Sequence, residues 1–255
     1  MIGVNLAGGL GNYLFQISAA YSFALDNNDS LVVDESKIVT VHKHMSTYKT
    51  NIFRNLNYGL VFYENQYQEP FFHYKKIPNL KNLFINGYFQ SEKYFLKYRE
   101  ELLKLFLIDD FNKSLLEKKY SHIDFEDSCS IHVRRGDYLK YANIHPTLTP
   151  EYYQKCISET KSKNILIFSD DILWCKENLV FQDKNVTFIE GNTDYNDLWL
   201  MSMCRENVIA NSTFSWWGAW LNNNKNKKVL APKVWFGPRS QHNIDDLIPS
   251  EWKKI

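Results

Sequence analysis

A cadence restricts the fold more than any other feature of this sequence. Short apolar runs recur along the chain, and many are followed by a polar or glycine-bearing loop and then by a helical pattern. The runs are Ile2 to Leu6, Ser30 to Val33, Ser130 to Val133, Asn164 to Phe168, Val186 to Ile189, Asn207 to Ala210 and Lys228 to Ala231. Continuous apolarity over so few residues fits strands covered on both faces, the condition of a parallel sheet. Between them, Tyr13 to Asp26 places Leu14, Ile17, Tyr21 and Leu25 near helical spacing. Pro150 to Thr160 opens with a first-turn proline, and Asp194 to Arg205 alternates polar and apolar faces. The chain therefore reads as α/β. From about Ser128 the repetition predicts a doubly wound parallel sheet, whose ligands bind at the carboxyl ends of the strands. The aromatic stretch Tyr58 to Tyr98 has no assignable period. Charged, polar Asn112 to Asp127 is the best candidate for a domain boundary, although a helix would have the same composition.

With 255 residues, 44% of them hydrophobic, the chain has enough core for one large domain or two small ones. Thirty basic side chains face 29 acidic ones, a net charge of +1, so no one-signed surface invites nucleic acid or anionic lipid. Any bound anion must be met by a local cluster of basic groups and amides. The N-terminus lacks the basic region and apolar run of a signal peptide, and no segment approaches the roughly 20 apolar residues that span a bilayer. The expectation is a cytoplasmic protein, at most peripheral at the inner membrane face. Cys129, Cys156, Cys175 and Cys204 are widely spaced and read as buried free thiols. His42 and His44 form a short metal-like pair without a third ligand nearby and read as solvated surface.

Four stretches carry chemistry. In Ser130-Ile131-His132-Val133-Arg134-Arg135-Gly136-Asp137-Tyr138 an apolar strand ends in two arginines, a glycine and an aspartate. Guanidinium groups make paired hydrogen bonds to phosphate oxygens, and glycine lets the backbone approach a ligand. A surface turn with Asp137 pairing an arginine has the same charge pattern. Phe168-Ser169-Asp170-Asp171 also follows an apolar run; one aspartate suits the paired donors of a guanine edge, the other a helix N-cap. Asn211-Ser212-Thr213-Phe214-Ser215-Trp216-Trp217 sets hydroxyls and free amides at a helix start, either an anion site or a plain cap over core tryptophans. Gly8-Gly9-Leu10-Gly11-Asn12 lacks the third glycine of a dinucleotide fingerprint and a Walker lysine, leaving a loop whose amides suit a phosphate or sugar, or a tight turn alone.

Together these stretches resemble the bacterial α-1,2-fucosyltransferase family, glycosyltransferase family 11, relatives of the α-1,6- and protein O-fucosyltransferases. The resemblance rests on Gly8 to Asn12 with Leu14-Phe15-Gln16, on Gly87-Tyr88-Phe89-Gln90-Ser91-Glu92-Lys93-Tyr94-Phe95, on His132 to Tyr138 and on Asp197 through Trp217. It departs at Tyr13, where the family usually has glutamine. The resemblance implies a GT-B-like α/β fold of two Rossmann-type domains facing across a cleft: an acceptor-side domain at 1–125 and a GDP-fucose-binding domain at 126–255. It implies an inverting fucosyltransferase that uses GDP-fucose without a metal or other cofactor. The acceptor is O2 of a terminal galactose on a free or lipid-linked oligosaccharide, in a lipopolysaccharide, capsule or other surface-glycan pathway. By position His132 would approach the guanine, Arg134 and Arg135 the pyrophosphate, and Asp170 or Asp171 the guanine edge. The Asn211 turn, with Ser212, Thr213 or Ser215, would meet the β-phosphate or fucose, and Gly9, Gly11 and Asn12 would line the cleft. Asp137 either acts in catalysis or orients the arginines, and no general base is assigned. Two other readings compete: a metal-dependent glycosyltransferase with a cation on Asp170 and Asp171, and a carbohydrate-binding protein without catalysis.

Overall fold

The computed structural model describes residues 1–40, 45–240 and 242–255, so His42 and His44 lie outside the described residues. Contacts divide the chain into two compact units, Met1–Asp109 with His242–Pro249, and Asp110–Gln241 with Ser250–Ile255.

In the first unit, strands β1 (Ile2–Val4), β2 (Asn65–Gln68) and β3 (Leu83–Asn86) form a parallel sheet in the order β1-β3-β2. Two of these strands come from the aromatic stretch without a readable period. The run at Ser30 to Val33 is a strand only at Val32–Val33, which pairs with Asn57–Tyr58, while Leu31 bridges Ile2. Helix α1 (Leu10–Asp26) starts about a turn before its apolar spacing suggests, because the Asn12 and Tyr13 amides already bond to the Gly9 carbonyl. Tyr13 is fully buried and meets the Tyr48 ring edge-on at 6.2 Å. Core packing thus accounts for the tyrosine at this position.

The second unit begins with α2 (Asp110–Lys119), a helix within the polar stretch that also reads as a boundary. There follow β4 (Ser128–Val133), α3 (Pro150–Ser158), β5 (Asn164–Ser169), α4 (Ile172–Asn178), β6 (Asn185–Phe188), α5 (Asp194–Met203), β7 (Glu206–Val208), α6 (Thr213–Leu221), β8 (Lys228–Ala231) and β9 (Lys253–Lys254). The parallel sheet runs β6-β5-β4-β7-β8-β9. The chain builds outward from β4 in one direction, returns to the middle at β7 and continues the other way, which is the doubly wound order with its switch point between β4 and β7. Alternate residues of β4, namely Cys129, Ile131 and Val133, join Ile165, Ile167, Val208 and Leu230 in one core with Tyr153 and Cys156 of α3 and Cys175 of α4. β7 ends at Val208; the Ile209 amide still donates to the Leu230 carbonyl of β8 at 3.0 Å, whereas the Ala210 amide turns to the Ser215 hydroxyl at 3.2 Å. All four cysteines are buried free thiols. Among the described residues no helix is long and apolar enough to cross a membrane.

Candidate functional site

The carboxyl ends of β4 and β7 flank the switch point, and the end of β5 adjoins β4. Backbone topology alone therefore brings together the arginine pair, the aspartate pair and the hydroxyl-bearing turn.

The arginines are held differently. Arg134 donates from Nη2 to Asp137 at 2.6 Å and lies 3.0 Å from Asp170 through Nη1. Its guanidinium also sits 5.4 Å from the centre of the Tyr138 ring. Arg135 donates from Nε to Asp171 at 3.0 Å and stacks 3.9 Å above the Trp174 ring, with its side chain only 15% exposed. Its two terminal nitrogens bond to no protein group among the described residues. Arg135 is thus a clamped guanidinium with an open fork, the geometry that suits two oxygens of a phosphate. Asp170 accepts the Arg135 backbone amide at 2.9 Å through its other oxygen. Asp171 caps α4 by accepting the Trp174 amide at 3.3 Å. Of the two aspartates, Asp171 therefore takes the N-cap role, while Asp170 ties the arginine loop to β5. Asp137 orients Arg134. Gly136 lets Asp170 come close: a Cβ there would stand 2.5 Å from Asp170 Oδ2.

His132, the penultimate residue of β4, is buried, and its ring lies 5.3 Å from Phe214. Burial, with the nearby Arg134 charge, pushes its imidazole down to about 3, so the ring is neutral in ordinary buffers. Among the described residues its Nδ1 is buried without a partner, as is Asn211 Oδ1. Buried polar atoms are usually paired, by protein or by ordered water.

On the β7 side, Asn211 anchors the turn by donating to the Pro146 and Trp235 carbonyls at 2.9 and 3.0 Å. Ser212 is the N-cap residue of α6 but makes no side-chain cap, so no side chain of the cap position satisfies the first-turn amides, the groups by which a helix start meets an anion. Thr213 is half-buried at the first helical position. Ser215 is buried with its hydroxyl turned to the Ala210 backbone; it braces the turn and presents nothing outward. Tyr138 joins the two sides of the switch point by donating to the Asn211 carbonyl at 3.0 Å while stacking on His145 at 4.9 Å. Burial raises its phenol to about 12.

In the first unit, the turn before α1 needs glycine at Gly8, whose φ is +94° and whose Cβ would strike the Asn12 side chain. Gly9 is the N-cap residue and Gly11 is buried in the first turn of α1. Asn12 accepts from Gln90 at 3.1 Å, and Gln16 joins the Ala7 amide to the Gly87 carbonyl, both at 3.0 Å. Two separated motifs thereby form one hydrogen-bonded group within this unit. Among the described residues, no group of three or more His, Cys, Asp or Glu side chains is placed to hold a metal ion.

The model of glycosyl transferase family 11 matches residues 1–255. The chain belongs to this family. This family 11 glycosyltransferase is 34% identical to the alpha-1,2-colitosyltransferase of Escherichia coli, covering 98% of this chain and 97% of the relative. It is 29% identical to the O-antigen biosynthesis glycosyltransferase WbnK of Escherichia coli, over 94% of this chain and 96% of that one. A more distant relative, the galactoside 2-alpha-L-fucosyltransferase SEC1 of Bos taurus, is 22% identical over 86% of this chain and 63% of its own. Among solved structures, NodZ alpha-1,6-fucosyltransferase soaked with GDP-fucose superposes with a TM-score of 0.55 at 13% identity, covering 86% of this chain and 92% of that one. POFUT1 in complex with GDP gives 0.52 at 12% identity, covering 90% and 96%. These likenesses show the fold of the family 11 enzyme, which is GT-B-like α/β with parallel sheets.

Proposed function

We propose that this glycosyltransferase moves L-fucose from GDP-fucose to O2 of a terminal galactose on a surface-glycan precursor, with inversion and without a divalent cation. The observation that carries the reading is Arg135, clamped by Asp171 and Trp174 with its fork open at the end of β4, across the switch point from the uncapped start of α6. Proteins named for GDP-fucose and GDP complexes share the fold, which supports a guanine nucleotide donor.

In this reading the acceptor hydroxyl oxygen attacks the anomeric carbon as the bond to the β-phosphate breaks, GDP departs with the electron pair, and the hydroxyl proton is released to water. Negative charge grows on the pyrophosphate, where the guanidinium groups and the α6 amides meet it without reorganising. Removing one such contact commonly costs about 3 to 4 kcal/mol of barrier, or roughly 100- to 1,000-fold in rate. The acceptor-side role falls to 1–125 and the donor-side role to 126–255. His132 and Asp170 lie beside the arginines, and guanine recognition is assigned there. Gly9, Gly11 and Asn12 serve the acceptor side. Metal independence is supported by the aspartates themselves, since Asp170 and Asp171 already bind guanidinium groups that a cation would have to displace.

Calorimetric titration with GDP, ADP and UDP in EDTA, then GDP into Arg135→Ala, tests the proposal. Tight binding of GDP alone, weakened by the substitution, is expected. Equal affinity for the three nucleotides, or binding restored only by manganese, overturns it. A second donor is favoured by the colitosyltransferase relative. Colitose is fucose without its 3-hydroxyl, and initial rates with GDP-fucose and GDP-colitose decide between them.

A further inference from the structure

In the motif from Gly87 to Phe95 the turn is built at evident cost. Phe89 holds a φ of +51°, in the left-handed region that a bulky residue rarely adopts. The turn is filled by a half-buried carboxylate. Glu69 accepts the Tyr88 amide at 2.7 Å, the Phe89 amide at 3.1 Å and the Tyr94 hydroxyl at 3.4 Å. Burial raises this carboxyl above its ordinary range. Gly87 is what makes room, because a Cβ there would lie 2.6 Å from Glu69 Oε2. Phe89 itself is fully buried, whereas Tyr88 is 46% exposed. The outcome is an exposed aromatic ring on a backbone fixed from below.

The backbone that carries Tyr88 leaves β3 at Asn86 and is bonded to Glu69, next to Gln68, and both Asn86 and Gln68 belong to a row of carboxamides. Asn5 follows β1, Asn86 ends β3 and Gln68 ends β2, so the three cross the carboxyl edge of the sheet in strand order. Asn5 donates to Asn86 at 2.8 Å, and Asn86 donates to Gln68 at 2.6 Å. Each is half-buried or exposed. Carboxamides offer donors and acceptors in the plane that sugar hydroxyls need, and an exposed tyrosine offers a flat apolar face. Ligands of parallel α/β sheets bind at this edge.

We infer that Tyr88, with the Gln68, Asn86 and Asn5 row, is the acceptor subsite and stacks the apolar face of a terminal galactoside. The inference rests on the proposed fucosyl transfer for its choice of sugar. Strain at the turn is explained by it: backbone tension is retained where it holds a group in place for a ligand.

Lactose serves as the probe. Saturation-transfer NMR of lactose is recorded on the wild-type protein and on Tyr88→Ala, Tyr88→Phe and Gln68→Ala, each with and without GDP, beside GDP calorimetry and steady-state transfer. Tyr88→Ala is expected to lose the lactose signal and to raise the lactose KM roughly tenfold, with kcat and GDP affinity unchanged. Tyr88→Phe keeps the flat face and restores both, and Gln68→Ala raises KM alone. A wild-type lactose signal that Tyr88→Ala leaves intact overturns the subsite, as does the absence of any wild-type lactose signal. Failure to bind GDP while lactose binding depends on Tyr88 overturns the donor reading and leaves the subsite standing.

Discussion

Gly136→Ala tests the arginine loop through a single methyl group. That methyl would sit 2.5 Å from Asp170 Oδ2 and 3.2 Å from its Cγ. Ordinary contact begins near about 3.5 Å, so the carboxylate must retreat by roughly 1 Å. Withdrawal breaks the 3.0 Å contact to Arg134 and disturbs the 2.9 Å bond to the Arg135 amide. Hydrogen bonds to charged groups are worth about 1.5 to 3 kcal/mol, but Arg134 and Asp170 are partly open to water, which roughly halves each. The two contacts together make about 1.5 to 3 kcal/mol of loop placement, or roughly 10- to 160-fold in transfer rate. The clash is with the end of one side chain, not with backbone, so the fold absorbs it and the melting temperature should hardly move. Steady-state transfer, GDP calorimetry and thermal unfolding read the three quantities. Wild-type kinetics and wild-type GDP affinity in a well-folded variant would refute the idea that Asp170 positions a donor-binding loop.

Three further outcomes are expected. The His132 pKa falls from its ordinary value of 6.5 to about 3 in the fold, so its contribution to stability is present above about pH 6.5 and declines by about 1.4 kcal/mol per unit as the pH falls toward 3. Denaturant unfolding between pH 7 and 5 should show this slope and His132→Gln should flatten it; parallel slopes would count against it. Gly237→Ala drives a methyl into the Asn143 backbone carbonyl, which cannot swing away, and should cost about 1 to 3 kcal/mol of stability by thermal or denaturant unfolding. An unchanged midpoint would show that this loop moves freely. Tyr138→Phe keeps the ring on His145 but loses the hydroxyl bond to Asn211, and should weaken GDP binding by about 1 kcal/mol, roughly fivefold, without loss of fold. Unaltered affinity would mean that the two strand ends hold their spacing without it.

How far the sequence could be read depended on what each residue's role required. Buried strands of the second unit announce themselves because parallel strands are apolar on both faces, and β4, β5 and β8 appear where their runs lie. β2 does not, since Asn65-Gln66-Tyr67-Gln68 is an edge strand with alternate residues exposed and no apolar face to reveal a period. Strand order is also silent in the sequence, being decided by which loops let a strand return to the middle of the sheet. At the site, the residue types were legible but their pairings were not. Arg134, Arg135, Asp170 and Asp171 stand out as charges after strands, whereas the division of the aspartates between a cap and a brace depends on the register of β4 against β5. The Trp174 stack on Arg135 carries no sequence signal beyond its place in the first turn after Asp171. Ser215 misleads for a related reason: a hydroxyl near a helix start looks ligand-facing until the backbone shows that it replaces a strand hydrogen bond.

The late return of the chain to the first unit bears on how such enzymes are recombined. Residues 242–249 belong to that unit although residues 110–241 precede them, and the last six residues go back to the second unit. Within the returning segment Asp246 accepts the Tyr74 amide at 3.0 Å and pairs with Lys93. A chimera joined at one crossover near residue 110 would therefore carry a foreign patch in its first unit. Under the acceptor role proposed for the first unit, exchange of acceptor preference between relatives calls for two grafts, the N-terminal portion and this short C-terminal loop, moved together.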